Sequence, residues 1–380
     1  MRNNRKIIYL NNYMSTQIAT LRNSQNIYSQ PANNKILGIK KSLEAAGASV
    51  KVLSSGLVNS KSFKWHKRVE EKSNLIDVVY CSILDIPLIS TIVSIVFMFF
   101  EIRKEHKKKS IDNLIFYNYK PEVAWAAWLA KRIFNIPITI EYEDGYSNID
   151  SVKGFKRVLM KLTEDVVSKN ISSAITVNSL LAEKQSVPSV VVRGVTDANL
   201  YLMREKHNKS KRSMPIIFYG GGLDKERGIE ILLESLKYIT KDFKLIITGK
   251  GKITIDDPRV DFKGFIDYES MLSYMLDADI LIQCQLSQHQ FGNSSFPSKV
   301  FEYMATGNLI ISSEVADIKD FAGDAFYYYQ NDDPKQLAKV IIAALNDDSN
   351  THRKIETHKL SVDNLPKNIG DKLIGILKNS

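Results

Sequence analysis

Apolar positions in this chain come in two alternating rhythms, short unbroken runs and stripes at helical spacing. KIIYL at residues 6–10, SVKVL at 49–53, NLIFY at 113–117 and ITIEY at 138–142 predict short buried strands. Between the first two, Ile36, Ile39, Leu43 and Ala46 share one helical face that ends at Gly47. Residues 75–80, 174–177 and 190–193 read as further strands, and 122–134 and 151–170 as helices. The polar stretch 11–34 predicts an unusually long loop, of the kind that carries function or moves. It follows a strand at the end where open parallel sheets bind ligands. Residues 201–214 (YLMREKHNKSKRSM) are polar and charged and read as a linker. The rhythm then restarts, with strands at 216–219, 244–248, 260–263, 280–283 and 309–312. Helices are expected at 229–239, 334–346, 351–361 and 366–377. This alternation predicts an α/β fold of two Rossmann-like, doubly wound parallel-sheet domains. Their expected bounds are 1–195 and 196–365, with 366–380 a C-terminal helix packing back on the first domain.

Residues 296–311 (FPSKVFEYMATGNLII) read as a short capped helix followed by a buried strand. Ser295 or Ser298 suits the cap, and Gly307 the left-handed residue past the end. Val300, Phe301, Met304 and Ala305 form the apolar face, while Lys299 and Glu302 share the other. A helix start bearing a lysine favours an anion. An ionised glutamate only accepts hydrogen bonds and can take both hydroxyls of a ribose. By spacing alone, an amphipathic surface helix looks the same.

Composition narrows the partners. With 44% hydrophobic residues and a mean hydropathy of -0.17, the chain fits a globular protein with sizeable cores. Cys81 and Cys284 lie far apart without metal spacing and fit a reducing compartment. The start reads straight into a strand, with no cleavable signal expected. A net charge of +10 favours anionic partners. No zinc-finger, homeodomain or RNA-recognition signature is present, so nucleic acid is not an expected partner. No acidic metal triad is visible; Asp256 and Asp257 read as a solvated turn. Residues 86–102 (IPLISTIVSIVFMFFEI) are strongly apolar and run into RKEHKKK at 103–109. The run falls short of the roughly 20 residues that span a bilayer. It is either a buried core helix or an interfacial helix docking on an anionic membrane surface.

Several segments stand in a recognisable order: VVRGVT at 191–196, GGGLDKERGIEILLESL at 220–236, KLIITGKG at 244–251, VDFKGFIDYESMLSYMLDADILI at 260–282, and FPSKVFEYMATGNLII. Together they resemble the nucleotide-binding half of GT-B glycosyltransferases of the retaining family-4, or group 1, type. The N-terminal half is similar more loosely, through its βαβ layout and IPITIEYEDGY at 136–146. The resemblance implies two Rossmann-like domains facing a central cleft, the first binding the acceptor and the second the nucleotide sugar. It implies transfer of a sugar from a UDP- or GDP-linked donor to a glycan or lipid-linked acceptor in surface polysaccharide or glycolipid assembly. Retention is implied as well; without an acidic metal triad no metal or cofactor is expected, and the apolar-basic run at 86–109 adds an expected cytoplasmic, peripheral membrane location. Gly221, Gly222, Gly249, Gly251, Arg227 and Lys299 fall at the donor diphosphate, Glu302 at the ribose, and Asn293, Ser294 and Ser295 at the sugar. Glu143 and Asp144 would serve the sugar or the acceptor hydroxyl, so that Arg227, Lys299, Glu143 and Asp144 carry the chemistry.

Three departures qualify the match. Where many members have arginine in the first glycine loop and lysine before the next glycine, this chain has Gly222 and Arg227. Ser294 replaces the first of two glutamates spaced eight apart, and Glu143-Asp144 replaces a His-Asp pair. An inactive sugar-nucleotide-binding protein and a GT-B nucleotide-sugar epimerase are the alternatives.

Overall fold

The computed structural model describes residues 5–25, 28–56, 63–73, 76–86, 89–143, 154–209, 212–287, 296–347 and 351–378. Asp144, Asn293, Ser294 and Ser295 lie outside the described residues. The chain divides into two units, Met1–Val195 with Pro366–Ser380, and Thr196–Leu365.

In the first unit the apolar runs become strands because both sheet faces are covered. These are β1 (Lys6–Asn11), β2 (Ser49–Ser54), β3 (Trp65–His66), β4 (Val69–Lys72), β5 (Asp77–Tyr80), β6 (Ile83–Leu84), β7 (Asn113–Tyr117), β8 (Ile138–Tyr142), β9 (Ser173–Thr176) and β10 (Ser189–Val191). The main sheet runs β10-β9-β8-β7-β1-β2-β5-β4, parallel except for the β4–β5 pair. The antiparallel pair β3–β6 stands apart. Winding reverses between β7 and β1, so a crevice opens beyond the C-terminal ends of these strands. Ile36, Ile39 and Leu43 from helix Gln30–Ala45 cover one face with Ile369 and Leu373 from helix Pro366–Lys378. These two helices touch at Gly370, where a Cβ would stand 1.9 Å from the Ser42 carbonyl oxygen. Met98 and Ile102 from helix Ile89–Lys108, with Val123, Ala124 and Ala127 from helix Pro121–Phe134, cover the other.

The second unit carries β11 (Ile216–Gly220), β12 (Lys244–Thr248), β13 (Val260–Gly264), β14 (Ile280–Gln283), β15 (Leu309–Ser313) and β16 (Tyr327–Tyr329). Their order is β13-β12-β11-β14-β15-β16, and every pairing is parallel. This is the doubly wound order, with its switch point between β11 and β14. Leu232, Leu337 and Ile341 pack helices Ile229–Ser235 and Pro334–Asn346 against Ile217, Ile247 and Ile311.

The structure corrects several expectations. The long polar stretch after β1 holds a helix, Thr16–Leu21, whose Ser15 cap accepts from the Ile18 amide at 3.2 Å and whose Ile18 and Ala19 are buried. The next helix begins at Gln30. Most of the expected linker is likewise helical. Asp197 accepts from the amides of Asn199 and Leu200 and starts helix Ala198–Lys206, held by buried Leu200. One apolar anchor in nine residues leaves too little periodicity to read. The β4 edge strand, VEEK, carries an intermediate–exposed alternation with no apolar run.

Candidate functional site

Two glycine turns meet at the switch point of the second unit. Gly221 follows β11 at φ +153° and Gly249 follows β12 at φ +152°. A Cβ at Gly249 would stand 1.7 Å from the Gly221 carbonyl oxygen, so the turns nest only without side chains there. The Gly221 amide donates to the Thr248 carbonyl at 3.1 Å and the Gly249 amide to Gly264 at 2.9 Å. Gly251 makes room of another kind, since its Cβ would meet Leu223 Cβ at 2.6 Å. The bare backbone there lets Leu223 pack on the loop.

Lys299 opens helix Lys299–Thr306 and sends its side chain over these turns. Its Nζ lies 3.5 Å from the Gly220 carbonyl oxygen and 4.4 Å from the centroid of the Tyr219 ring. The open Cβ direction of Gly221 points at the same ammonium, 3.5 Å away. Burial lowers the Lys299 pKa to about 8; Cys284 and Glu302 oppose that shift while the Arg227 charge adds to it. Arg227 ends the 3-10 turn Lys225–Arg227 and is exposed, with Nη1 3.4 Å from Gln285 Oε1. Its carbonyl accepts from Cys284 Sγ at 3.3 Å, and Gly228 beside it has φ +71°. A Cβ on Gly228 would stand 1.7 Å from the Cys284 carbonyl oxygen. The arginine turn is thus clamped to the end of β14. Among the described residues, neither Lys299 nor Arg227 makes a carboxylate ion pair. A Cβ on Gly222 would stand 3.0 Å from Asp224 Oδ2 and 3.7 Å from Arg227 Cγ.

One turn along, Tyr268 Oη donates to Glu302 Oε1 at 3.5 Å. Burial, with Asp197 adding to it, raises the Glu302 pKa to about 7, against the pull of Tyr268 and Lys299. The helix itself begins without the expected cap. Ser298 is helical and makes no side-chain cap bond, and Val300 and Phe301 amides donate instead to the Pro297 and Ser298 carbonyls. These two amides are therefore not free at the start of the helix. Gly307 ends it in the left-handed conformation as expected, at φ +67°.

Sequence reasoning missed the residues that hold this arrangement. Tyr303 Oη accepts from the Gly220 amide at 3.3 Å and lies 3.4 Å from the Gly220 and Ile282 carbonyl oxygens, joining the helix to both switch-point strands. Tyr219 Oη donates to the Gly222 carbonyl at 2.7 Å. In the sequence Tyr219 reads only as the end of a buried strand, and Tyr303 falls outside the apolar face of Val300, Phe301, Met304 and Ala305.

In the first unit, Glu143 follows β8. Its amide donates to Asn118 Oδ1 at 2.8 Å, and its carboxylate accepts from Lys35 Nζ and Tyr117 Oη. Glu141, two residues earlier on the same side of the strand, is 1% exposed and accepts from Tyr9 Oη. Lys35 Nζ is 3.8 Å from Glu141 Oε1, so one ammonium faces both carboxylates. Burial raises the Glu141 pKa to about 7; Glu143 adds to the rise while Lys35 and Tyr9 oppose it. The signal for Glu141 was a lone charge inside the apolar run ITIEY.

Among the described residues no group of three or more His, Cys, Asp or Glu is placed to hold a metal ion. Asp257 is not a solvated turn residue: it pairs with Arg259, Oδ2 to Nη2 at 2.6 Å and Oδ1 to Nε at 2.9 Å.

Residues 214–347 match the family described as Glycosyl transferases group 1. No curated protein matches the chain by sequence. Sucrose-phosphate synthase from Thermosynechococcus elongatus has a similar structure, with a TM-score of 0.65 at 16% identity over 98% of this chain and 98% of that one. A glycosyltransferase from Rickettsia africae aligns with a TM-score of 0.66 at 14% identity, over 99% and 98% of the two chains. HepE from Anabaena, solved in complex with UDP, aligns with a TM-score of 0.66 at 13% identity, over 99% and 100%. The chain therefore has the GT-B fold, and residues 214–347 of its second unit match the glycosyl transferases group 1 family.

Proposed function

We propose that this protein moves a sugar from a nucleoside diphosphate sugar to a glycan or lipid-linked acceptor, with retention at the anomeric carbon. The observation that supports this reading is the meeting of Lys299 and Arg227 at the nested glycine turns, neither of them in a carboxylate ion pair among the described residues. Two cations without a carboxylate ion pair among the described residues, over backbone that lacks side chains, suit a diphosphate. In the reaction the bond between the anomeric carbon and the terminal phosphate oxygen breaks, and negative charge grows on that oxygen. Lys299 and Arg227 meet this charge without reorganising. Arg227 offers the planar fork and Lys299 the point charge. Glu302 accepts the two ribose hydroxyls, which favours its ionised form although burial raises its pKa to about 7. Glu143, aimed by Lys35 and Tyr117, receives the acceptor hydroxyl. Asp144, Asn293, Ser294 and Ser295 enter through the family resemblance, at the acceptor and the donor sugar.

The donor base is uracil or guanine; HepE, which shares the fold, is solved with UDP and with UDP-glucose, which favours uracil. No metal or organic cofactor takes part in this reading. The product belongs to surface polysaccharide or glycolipid assembly at the cytoplasmic side of a membrane. Thermal-shift screening of the full chain against UDP-, GDP-, ADP- and CMP-sugars tests the donor class. A UDP- or GDP-sugar raises Tm with the logarithm of its concentration. No shift with any of the four overturns the reading. Transfer or hydrolysis of the stabilising donor separates an active transferase from an inactive binder, and a sugar epimer as sole product would indicate the epimerase.

A further inference from the structure

Helix Ile89–Lys108 presents a face that sugar transfer leaves unexplained. Ser94, Met98, Ile102 and Glu105 are buried on its inner side. At about 100° per residue the opposite stripe runs Ile89, Ile92, Val96, Phe100, Arg103, Lys107. All six are exposed, Ile92 at 63% and Phe100 at 50%. The stripe is therefore apolar over its first three turns and cationic over its last two. Both carboxylates of the helix turn away from it. Glu101 accepts from Arg68 Nε at 2.8 Å, and Glu105 accepts from Lys51 at 2.9 Å, Lys108 at 2.8 Å and Lys6 at 3.3 Å. Alongside, Trp65 of β3 meets Phe97 edge-on at 5.2 Å and keeps 47% of its surface in solvent. Phe63, two residues before it, is 70% exposed, with exposed Lys64 between the two and exposed Lys67 two residues on.

Single exposed apolar side chains are ordinary on a protein surface, but a continuous ridge rimmed by one sign of charge is not. We infer that this ridge docks the protein on an anionic lipid surface. Phe63, Trp65, Ile92, Val96 and Phe100 enter the boundary between headgroups and acyl chains, and Arg103, Lys104 and Lys107 meet lipid phosphates. The sign of the rim selects this occupant: a second copy of a chain with net charge +10 would bring like charges together. Among the described residues no helix is long and apolar enough to cross a membrane, so the protein lies on the surface through this segment. The inference stands on this helix and the adjoining Phe63 and Trp65, and does not rest on the reading of the sugar-nucleotide site.

Sedimentation of the full chain with vesicles tests it. The protein pellets with vesicles of phosphatidylglycerol and phosphatidylcholine in equal parts, stays in the supernatant with phosphatidylcholine alone, and is released by high salt. Replacing Arg103 and Lys107 together by Ala weakens partitioning roughly thirtyfold, given the contribution of each basic residue at such a surface. Ile92→Ser with Phe100→Ser abolishes pelleting at unchanged thermal melting, since both positions are exposed. Brominated lipid quenches tryptophan emission, and Trp65→Phe removes the quenching. Wild-type protein that stays in the supernatant with acidic vesicles at low salt overturns the inference. So does pelleting that the ridge and charge variants leave unchanged, or a lipid-free dimer in size exclusion that Phe100→Ser converts to monomer.

Discussion

The Lys299 ammonium rests 4.4 Å from the centroid of the Tyr219 ring, and the hydroxyl of the same tyrosine donates to the Gly222 carbonyl at 2.7 Å. One buried side chain thus positions the cation and shapes the loop beneath it. The two roles separate by substitution. Tyr219→Phe keeps the ring and loses the loop tether, weakening donor binding by about 0.5–1.5 kcal/mol. Tyr219→Leu also removes the cation–ring contact, adding about 0.5–2 kcal/mol. Calorimetry with the stabilising nucleotide sugar reads both steps, and equal affinities for the two variants would remove the ring from the account.

Gly249→Ala tests the nested turns. The new methyl would stand 1.7 Å from the Gly221 carbonyl oxygen at a φ of +152°. One turn must move off the other, which costs about 1–3 kcal/mol of stability for the backbone strain alone. Because the displaced turn lies under Lys299, donor affinity falls as well. Urea unfolding gives the first effect and calorimetry the second.

Tyr303→Phe removes the hydroxyl that accepts from the Gly220 amide at 3.3 Å. Tyr303 is buried, so that amide loses its partner at a cost of about 1–3 kcal/mol. The expected variant is less stable and binds donor more weakly, with the sheet order unchanged by circular dichroism. Unaltered stability would mean that Gly220 finds another acceptor.

The two sheets were legible because parallel strands buried on both faces leave unbroken apolar runs; β14 and helix Pro334–Asn346 fall within the residues that periodicity assigns. What escaped reading depends on single anchors or on side chains meeting across the fold. Helix Ala198–Lys206 hangs on Leu200 and the Asp197 cap, and β4 on pairing with β5. Near the glycine turns, the placing of Lys299 and Glu302 on one helix was readable from helical spacing. Tyr219, Tyr303 and Glu141 were not, since each lies in a run that buries its neighbours and reveals its polar partner only in three dimensions. The helix Ile89–Lys108 was ambiguous between core and surface because it is both, one stripe each.

Glu141 gives a stability prediction with a definite sign. Burial raises its folded-state pKa from 4.5 to about 7. Between these values the folded protein holds a proton that the unfolded chain has released, so stability falls as pH rises through this window and levels above it. Glu141→Gln has no such proton to hold. Its melting temperature relative to wild type therefore climbs from about pH 4.5 to about pH 7 and then stays flat. A constant difference across the window would show that Lys35 and Tyr9 keep Glu141 ionised.

Donor binding should itself have two limbs, and each belongs to a different residue. Glu302 must be ionised to accept ribose hydroxyls, and its pKa in the free protein is raised to about 7 by burial and Asp197. Lys299 must be protonated to meet the diphosphate, and burial lowers its pKa to about 8. Affinity for the nucleotide sugar therefore rises with pH through about 7 and falls again beyond about 8, giving a narrow maximum between the two values. Bound donor widens the maximum, because ribose favours the carboxylate and phosphate favours the ammonium. Glu302→Gln flattens the acid limb and lowers affinity at the maximum by about 1.5–3 kcal/mol. Lys299→Met flattens the alkaline limb and, by removing a group that meets developing charge, cuts turnover about 10²–10³-fold. Calorimetric titration of wild type and both variants across this range, with the stabilising donor, checks the assignment. If the acid limb survives in Glu302→Gln, a different carboxyl titrates at the site, and the ribose contact is not made by Glu302.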